Sequence, residues 1–313
     1  MRNRTVPLLL LALVACGGAA APTGPWGSGT GTGGGQEPPA PTPLDTTGWV
    51  VAEPGTMPLV LTAPHGGELS PDGLPTRSCA GCSTSNDTNT QELARAVADA
   101  IQQRTGHRPF LVINRLHRRK FDANRDVTEA TGGYQPLEVV WRGYHGAIDS
   151  ARARALRVHP RALLLDLHGH AHAIARLELG YLLSGSELRL SDSLVGTKLG
   201  TSSIARLGLD AGSGDRGAAL IRGPNALGSL LVAASIPAVP SALDPAPASG
   251  QDYFNGGYTT QRHGSVGGAA MDAIQIEHHY AGIRDTPAAR ARYAAILAEA
   301  VTAFLERHYG WTP

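Results

Sequence analysis

Short apolar runs alternate with longer amphipathic stretches along the chain from residue 47 onward. Runs of this length, bounded by turn residues, are typical of strands inside a sheet. They predict strands at 57–63, 109–113, 162–167, 177–183 and 273–277.

The stretches between these runs have the spacing of helices. Leu93, Val97 and Ile101 follow one another at four-residue steps, which places them on one face of a helix over 88–104. Further helices are predicted at about 137–156, 191–206, 225–234 and 286–308. Strands that alternate with helices predict an α/β fold: a mixed, largely parallel sheet with helices on both faces.

The N-terminus has the features of a bacterial export signal. Arg2 and Arg4 precede a short apolar region, and Leu13-Val14-Ala15-Cys16 is typical of a lipobox. We therefore expect residues 1–16 to be a lipoprotein signal peptide and Cys16 to carry lipid, which would anchor an exported protein to the membrane surface of the cell envelope. A plain secretory signal that happens to contain a cysteine is the alternative.

The segment 17–46 is rich in Gly, Pro, Ser and Thr and has few large apolar side chains. Such a composition cannot bury enough surface to offset its ordering entropy, so it is predicted to be a disordered linker. Residues 47–313 then form one folded domain. The formal net charge of +1 indicates no nucleic-acid partner.

Two cysteines remain if Cys16 is lipidated. Cys79 and Cys82 form a Cys-x-x-Cys pair, for which an oxidising exterior favours a disulfide. Zinc binding by the pair and a redox-active pair are the alternatives.

Polar side chains follow the predicted strands directly. His65-Gly66-Gly67-Glu68 comes after the first strand, Asp166-Leu167-His168-Gly169-His170 ends the third, Glu277 ends the last, and Asp122-Ala123-Asn124-Arg125 lies beyond the second. Ligands of open α/β sheets bind outside the carboxyl ends of the strands, so these residues are expected to gather there.

The spacing of these residues suggests a catalytic zinc site. His65 and Glu68 are three residues apart and could reach one ion, with His168 as the third ligand and an open position for water. Asp166 points to the same face as His168 and could orient an imidazole. His170 is a rival third ligand, or an outer residue of the site.

Other polar residues are expected outside the metal-ligand set. His172 is expected in a nearby loop, and His278 and His279 at the surface or rim of the site. The basic run 118–120 is expected to be a solvated face. Arg222, followed by Gly223-Pro224, suggests a tight turn close to a ligand, although turn chemistry alone could explain it.

Several motifs together resemble those of the N-formylglutamate amidohydrolase family, over nearly the whole span 57–308. Beside the motifs at 64–67, 122–125 and 166–170, the resemblance is carried by Tyr253-Phe254-Asn255-Gly256-Gly257-Tyr258, His263-Gly264-Ser265 and Gln275-Ile276-Glu277. The family is similar in fold to zinc carboxypeptidases, with a phosphorylase/hydrolase-like sheet.

This resemblance implies roles for individual residues. Glu277 matches the general base, and Arg125, beside Asn124, matches the arginine that grips a substrate carboxylate. Tyr258 could donate to a tetrahedral oxyanion. Glu277 could instead pair with an arginine, Arg125 could pair with Asp122 or Asp126, and Tyr258 could be a packing residue.

The expected function is therefore zinc-dependent hydrolysis of an amide bond in a small N-acyl amino acid or an acidic peptide-like substrate. An envelope carboxypeptidase or cell-wall peptide amidase is an alternative, and a lipoprotein that only binds a ligand is another. The chain lacks the Gly-x-Ser-x-Gly elbow of a serine hydrolase.

Overall fold

The computed structural model describes residues 47–78, 81–212 and 214–313. The predicted signal peptide with Cys16, the linker 17–46 and Cys79 lie outside the described residues. Cys82 is disulfide-bonded, as the sequence favoured.

Seven strands form one mixed sheet in the order β1-β3-β2-β4-β7-β5-β6. The four central strands, β3, β2, β4 and β7, run parallel, while β1 and β5 pair antiparallel with β3 and β7. The strands are β1 Val50–Glu53, β2 Leu59–Ala63, β3 Phe110–Asn114, β4 Ala162–Gly169, β5 Leu177–Gly180, β6 Ala238–Val239 and β7 Met271–His278. The predicted α/β class and all five predicted strands are confirmed.

Ten α-helices connect and cover the strands within the described residues. They are α1 Thr90–Thr105, α2 Val127–Thr131, α3 Glu138–Val158, α4 Gly185–Leu188, α5 Asp192–Lys198, α6 Ala205–Ala211, α7 Asp215–Arg222, α8 Leu227–Ala233, α9 Tyr258–His263 and α10 Pro287–Tyr309. No helix in this part of the chain combines the length and apolar character needed to cross a membrane.

The alternation of side chains along the central strands divides the core between the two faces of the sheet. Leu59 and Leu61 of β2 pack in one cluster with apolar residues of α1 and α10, whereas Val60 packs in another with residues of α3. Successive strand residues point to opposite faces, so strands covered on both sides are apolar throughout. Helices therefore cover both faces, as predicted.

The prediction was less accurate in the segment after β5. The single helix expected over 191–206 is two helices, α5 and α6, separated by a 3-10 turn at Leu199–Thr201. Ser202 ends that turn in an extended conformation, so the chain cannot continue as one helix there. The short strands β1 and β6 were not predicted.

The topology fixes where a ligand can bind. From β2 the chain passes through α1 to β3 on one side, and from β3 through α3 to β4 on the other side of β2. This is a topological switch point, and the carboxyl ends of the two strands flanking it form a crevice. His65 follows β2, and His168 lies at the end of β4.

The buried face of β4 should dominate stability. Leu165 is fully buried and Leu243 is 80% exposed. We expect Leu165→Ala to lower the free energy of unfolding by roughly 2–5 kcal/mol, because it removes buried methylenes and leaves a cavity. The matched variant Leu243→Ala should change it by less than about 0.5 kcal/mol. Urea unfolding measures both, and equal losses would contradict this description of the core.

Candidate metal centre

His65 is held in the crevice by two carboxylates. Its Nε2 lies 2.6 Å from Oδ1 of Asp122, and its Nδ1 lies 3.3 Å from Oδ2 of Asp87. The ring is 1% exposed and Asp122 is equally buried. A buried imidazole with a carboxylate on one nitrogen has a fixed orientation and tautomer.

His168 repeats this arrangement from β4. Its Nε2 lies 2.8 Å from Oδ2 of Asp166, and its Nδ1 lies 3.2 Å from Oδ2 of Asp87. The other carboxylate oxygen of Asp166 accepts a hydrogen bond from the Thr62 hydroxyl on β2. Asp166 therefore orients the imidazole of His168, which is the role predicted for it.

Asp87 joins the two histidines and was not predicted from the sequence. Its Oδ2 also accepts the backbone N–H of Gly169 at 3.1 Å. The loop before α1 is tied to the first histidine because the Asp87 N–H donates to the His65 carbonyl. The signal that the sequence offered was the polar run 85–90, which overlaps the start of the helix predicted over 88–104.

Nδ1 of His65 and Nδ1 of His168 thus converge on Oδ2 of Asp87, at 3.3 and 3.2 Å. Each of the three residues offers a potential ligand atom within 4.8 Å of the other two. Two imidazoles and a carboxylate are the donor set of many catalytic zinc sites. Each imidazole also has its other nitrogen on a separate carboxylate, as zinc-bound histidines usually do. The residues therefore fit a divalent metal of the zinc type.

The pKa shifts of Asp87 and His168 also favour a positive charge at this centre. Burial raises the pKa of Asp87, but the charge of His65 and hydrogen bonds from both histidines hold it well below its ordinary value. Burial lowers the pKa of His168, but the charge and hydrogen bond of Asp166 hold it well above. The buried carboxylates therefore favour positive charge between them, which a proton or a metal ion can supply.

Glu68 does not take the position predicted for it. Its side chain is exposed, and its Oε1 lies 3.2 Å from the Asn86 amide. The reason lies in the turn: the backbone of Gly67 packs against Arg115 and Leu116, and Leu69 bridges to Leu116, so the chain is carried away from the crevice. Asp87 supplies the carboxylate in its place.

Glu277 lies beside the cluster on β7, where it is the register partner of His168 on the neighbouring strand β4. Its Oε1 is 4.0 Å from Nδ1 of His168 and accepts a hydrogen bond from the Gln275 amide. For Oε2 the described residues offer no hydrogen-bond partner. Burial raises the pKa of Glu277 to about 8, with Asp87 and Glu178 adding to the effect of burial and His168 opposing it.

Of the predicted substrate residues, Asn124 contacts the cluster, whereas Tyr258 contacts other aromatic rings. Asn124 places its amide nitrogen 3.5 Å from Nε2 of His168, and its carbonyl oxygen accepts the N–H of Thr259. The backbone of Gly257 fits against this amide so closely that a Cβ there would lie 2.3 Å from it. Tyr258 is half-buried and packs against Trp141 and His145.

Arg125 has a different partner from those considered. Its Nε donates to Glu129 at 2.8 Å and one terminal nitrogen donates to the Asn124 carbonyl, while about a third of the side chain stays exposed. Neither Asp122 nor Asp126 pairs with it among the described residues. Part of the guanidinium is therefore accessible to a ligand.

Arg222 is a structural residue. Its guanidinium pairs with Asp192 and donates to the carbonyls of Leu188 and Leu190, which joins the end of α7 to the segment between α4 and α5. All three nitrogens of the group are thereby occupied. The sequence suggested a ligand contact from the following Gly-Pro turn, but the turn serves packing.

Arg118 is the basic residue that belongs to the centre. It was expected on a solvated face, but its side chain is only 12% exposed. Its Nε donates to Asp122 at 3.0 Å, and a terminal nitrogen lies 3.4 Å from the second carboxylate oxygen of Asp87. It offsets part of the negative charge of the two aspartates. Arg119 does lie exposed, and Lys120 donates to the Leu74 carbonyl.

A second group of potential ligands comprises His170, His172 and Glu178. His170 donates from Nε2 to the Arg176 carbonyl and so is not the partner of His65. His278 was expected at the surface or rim of the site, but it is fully buried. Its two ring nitrogens form hydrogen bonds with the His168 carbonyl and the Tyr293 hydroxyl, which hold it in the interior. His279, by contrast, lines a cavity, as expected of a residue at the rim of the site.

Comparison with known proteins finds no matching family model and no match among curated proteins. Solved structures similar to this chain include an N-formylglutamate amidohydrolase from Ralstonia eutropha JMP134, at 14% identity and a TM-score of 0.49, over 83% of this chain and 97% of that one. A bacteriophage poly-gamma-glutamate hydrolase matches at 13% identity and a TM-score of 0.37, over 85% and 93%.

A third similar structure is the N-acetylmuramyl-L-alanine amidase from Mycobacterium smegmatis, at 12% identity and a TM-score of 0.34, over 80% of this chain and 97% of that one. The first of these proteins belongs to the family whose motifs the sequence resembles. At such identities and scores these matches assign no activity and no metal to this chain.

Two carboxylate variants distinguish the observed cluster from the predicted one. We expect Asp87→Ala to lose most of the bound zinc, because one of three ligands disappears, whereas Glu68→Ala keeps about one ion per chain. Metal analysis of the purified variants after dialysis measures this difference. Loss of zinc from the Glu68 variant with retention in the Asp87 variant would contradict the assignment.

Proposed function

We propose that the protein is a metal-dependent hydrolase that cleaves an amide bond, with one zinc ion held by His65, Asp87 and His168. The proposal is carried by one observation: three ligand atoms within 4.8 Å of one another, with the unpartnered carboxylate oxygen of Glu277 beside them. Three protein ligands leave a coordination position for water, as in catalytic rather than structural zinc sites.

A zinc ion bound at this centre would lower the pKa of a water molecule and polarise the carbonyl under attack. Glu277 is placed to move the proton. Gln275 holds Oε1, while Oε2 of the ionised group can accept a proton from the attacking water and return it to the leaving amine. A cation held at the centre would favour this ionised form of Glu277 against the effect of burial.

The residues around the ligands keep this geometry fixed. Asp122 and Asp166 each occupy the outer nitrogen of one histidine, so the Nδ1 atoms of both rings remain directed at the centre. Arg118, between Asp87 and Asp122, places positive charge beside the centre. Such prearranged charges stabilise a transition state without reorganisation during the reaction.

The substrate class follows from the polar groups at the edge of the centre. Arg125 has an accessible part of its guanidinium, and the planar fork suits a carboxylate. The neighbouring residue, Asn124, has its amide nitrogen 3.5 Å from the His168 ring and accepts a hydrogen bond from Arg125 through its backbone carbonyl. We therefore propose small N-acyl amino acids or acidic peptide-like amides, which agrees with the N-formylglutamate amidohydrolase resemblance.

Glu277→Gln tests the mechanism with almost no change in shape. We expect the kcat for hydrolysis of N-formyl and N-acetyl amino acids to fall by roughly 10²–10⁴-fold, because the amide cannot accept the proton. Zinc content should stay at the wild-type value. Amine release measures the reaction, and metal analysis of the same samples provides the second measurement.

Glu299→Gln is the matched control, since Glu299 lies on the exposed side of α10 and its ion pair within the described part of the chain is with Arg104 at 3.8 Å. It should retain wild-type kcat. Full activity in Glu277→Gln would exclude this base, and a wild-type protein that binds zinc but hydrolyses none of these amides, whatever acyl group they carry, would refute the proposed reaction.

We also propose that the enzyme is exported and anchored to the cell envelope through lipid on Cys16. The proposal rests on the sequence of residues 1–16 alone: two arginines, an apolar region and the Leu-Val-Ala-Cys motif. An anchored hydrolase would encounter acidic amides in the envelope.

Cys16→Ser separates anchoring from export. In bacteria fed a labelled fatty acid, we expect label and membrane association in the wild-type protein and neither in the variant, because the thiol is the site of acylation. Cys82→Ser is the control for loss of a cysteine and should keep the label. Labelling of the Cys16 variant would disprove this anchor.

A further inference from the structure

A cavity of about 480 Å³ lies next to the candidate metal centre. Its lining includes Asn86 and Thr88, which flank the ligand Asp87 in the sequence. His170 and His279 also line it, two residues beyond His168 and Glu277. The cavity is thus lined by close sequence neighbours of the candidate ligands and of the candidate base.

The charge of the lining is positive. Arg284 supplies this charge, and no aspartate or glutamate lines the cavity among the described residues. Arg284 is 5% exposed and donates to the carbonyls of Thr88, His170 and His278. Because these partners are neutral, its charge is not cancelled by a bonded carboxylate, and the cavity favours an anionic group.

His172 is the side chain held most firmly in this lining. Its Nδ1 lies 2.9 Å from Oε1 of the fully buried Glu178, and its ring stacks on Phe254 with centroids 4.5 Å apart. The other oxygen of Glu178 accepts the N–H of Phe254. Both the ring and its carboxylate partner are therefore fixed, and Nε2 of His172 has no hydrogen-bond partner among the described residues.

The same three residues do not form a metal site in this arrangement. His170 donates from Nε2 to the Arg176 carbonyl, and its Nδ1 accepts the backbone N–H of His172. Both ring nitrogens are thus occupied, which leaves His172 and Glu178 as two donors. Two donors are fewer than the three protein ligands of a catalytic zinc site.

We propose that the cavity binds a carboxylate of the substrate, that His172 contacts this carboxylate through Nε2, and that Glu178 positions His172. When Nδ1–H donates to Glu178, an imidazolium carries a second proton on Nε2, which can form a charge-assisted hydrogen bond to the ligand. This subsite deepens the proposed function and rests on it, but carboxylate binding can be measured without turnover.

Glutarate and 1,5-pentanediol are suitable probes, because they share a five-carbon chain and differ in charge. The full chain with ¹⁵N-labelled histidine is titrated with each and followed by NMR of the imidazole nitrogens. We expect glutarate, and not the diol, to shift Nε2 of His172 to saturation. His172→Ala should weaken glutarate binding by roughly tenfold or more, the effect of one charge-assisted hydrogen bond.

Two further variants separate positioning from packing. Glu178→Gln keeps the shape of the side chain but removes the charge, so we expect the same weakening together with altered His172 nitrogen shifts. His159→Ala, at the end of α3, should bind glutarate as the wild type does.

Equal shifts with glutarate and the diol, or unchanged glutarate affinity in His172→Ala, would overturn the proposal. A second bound zinc ion that His172→Ala removes would also overturn it. Absence of amide hydrolysis would refute the proposed function and leave these binding results unaffected.

Discussion

The candidate centre depends on the pairing of two buried imidazoles with three buried carboxylates. His65 and His168 are almost fully enclosed, and so are Asp87, Asp122 and Asp166. Buried charges of this density are tolerated only when each has a partner, and removal of one leaves the others uncompensated. Asp87 contacts both rings, so it is the residue on which the convergence of the cluster depends.

The sheet explains how residues from distant parts of the chain reach one place. The switch point between β2 and β4 opens a crevice at their carboxyl ends, and the register of β4 with β7 and of β7 with β5 sets His168, Glu277 and Glu178 on neighbouring strands. The strand order therefore places a base candidate beside the metal cluster, and a second carboxylate–imidazole pair beyond that base.

Residues at strand ends were predictable from the sequence, and residues placed by loops were not. His65, His168, Asp166 and Glu277 each follow or end an apolar run, so the parallel sheet alone brings them together. The error at Glu68 arose because its direction depends on the packing of Gly67 against the chain beyond β3, a contact between distant segments. Asp87 was missed for the same reason, since its loop is docked by a backbone hydrogen bond from Asp87 to the His65 carbonyl, a contact that the sequence does not show.

Anomalous diffraction from crystals of the zinc-loaded protein tests the central claim most directly. Data collected on either side of the zinc absorption edge locate the ion by its own anomalous signal. The account predicts one peak bounded by Nδ1 of His65, Oδ2 of Asp87 and Nδ1 of His168, within reach of Glu277. A peak at Glu68, or no peak between the two histidines in crystals grown with zinc, would contradict it.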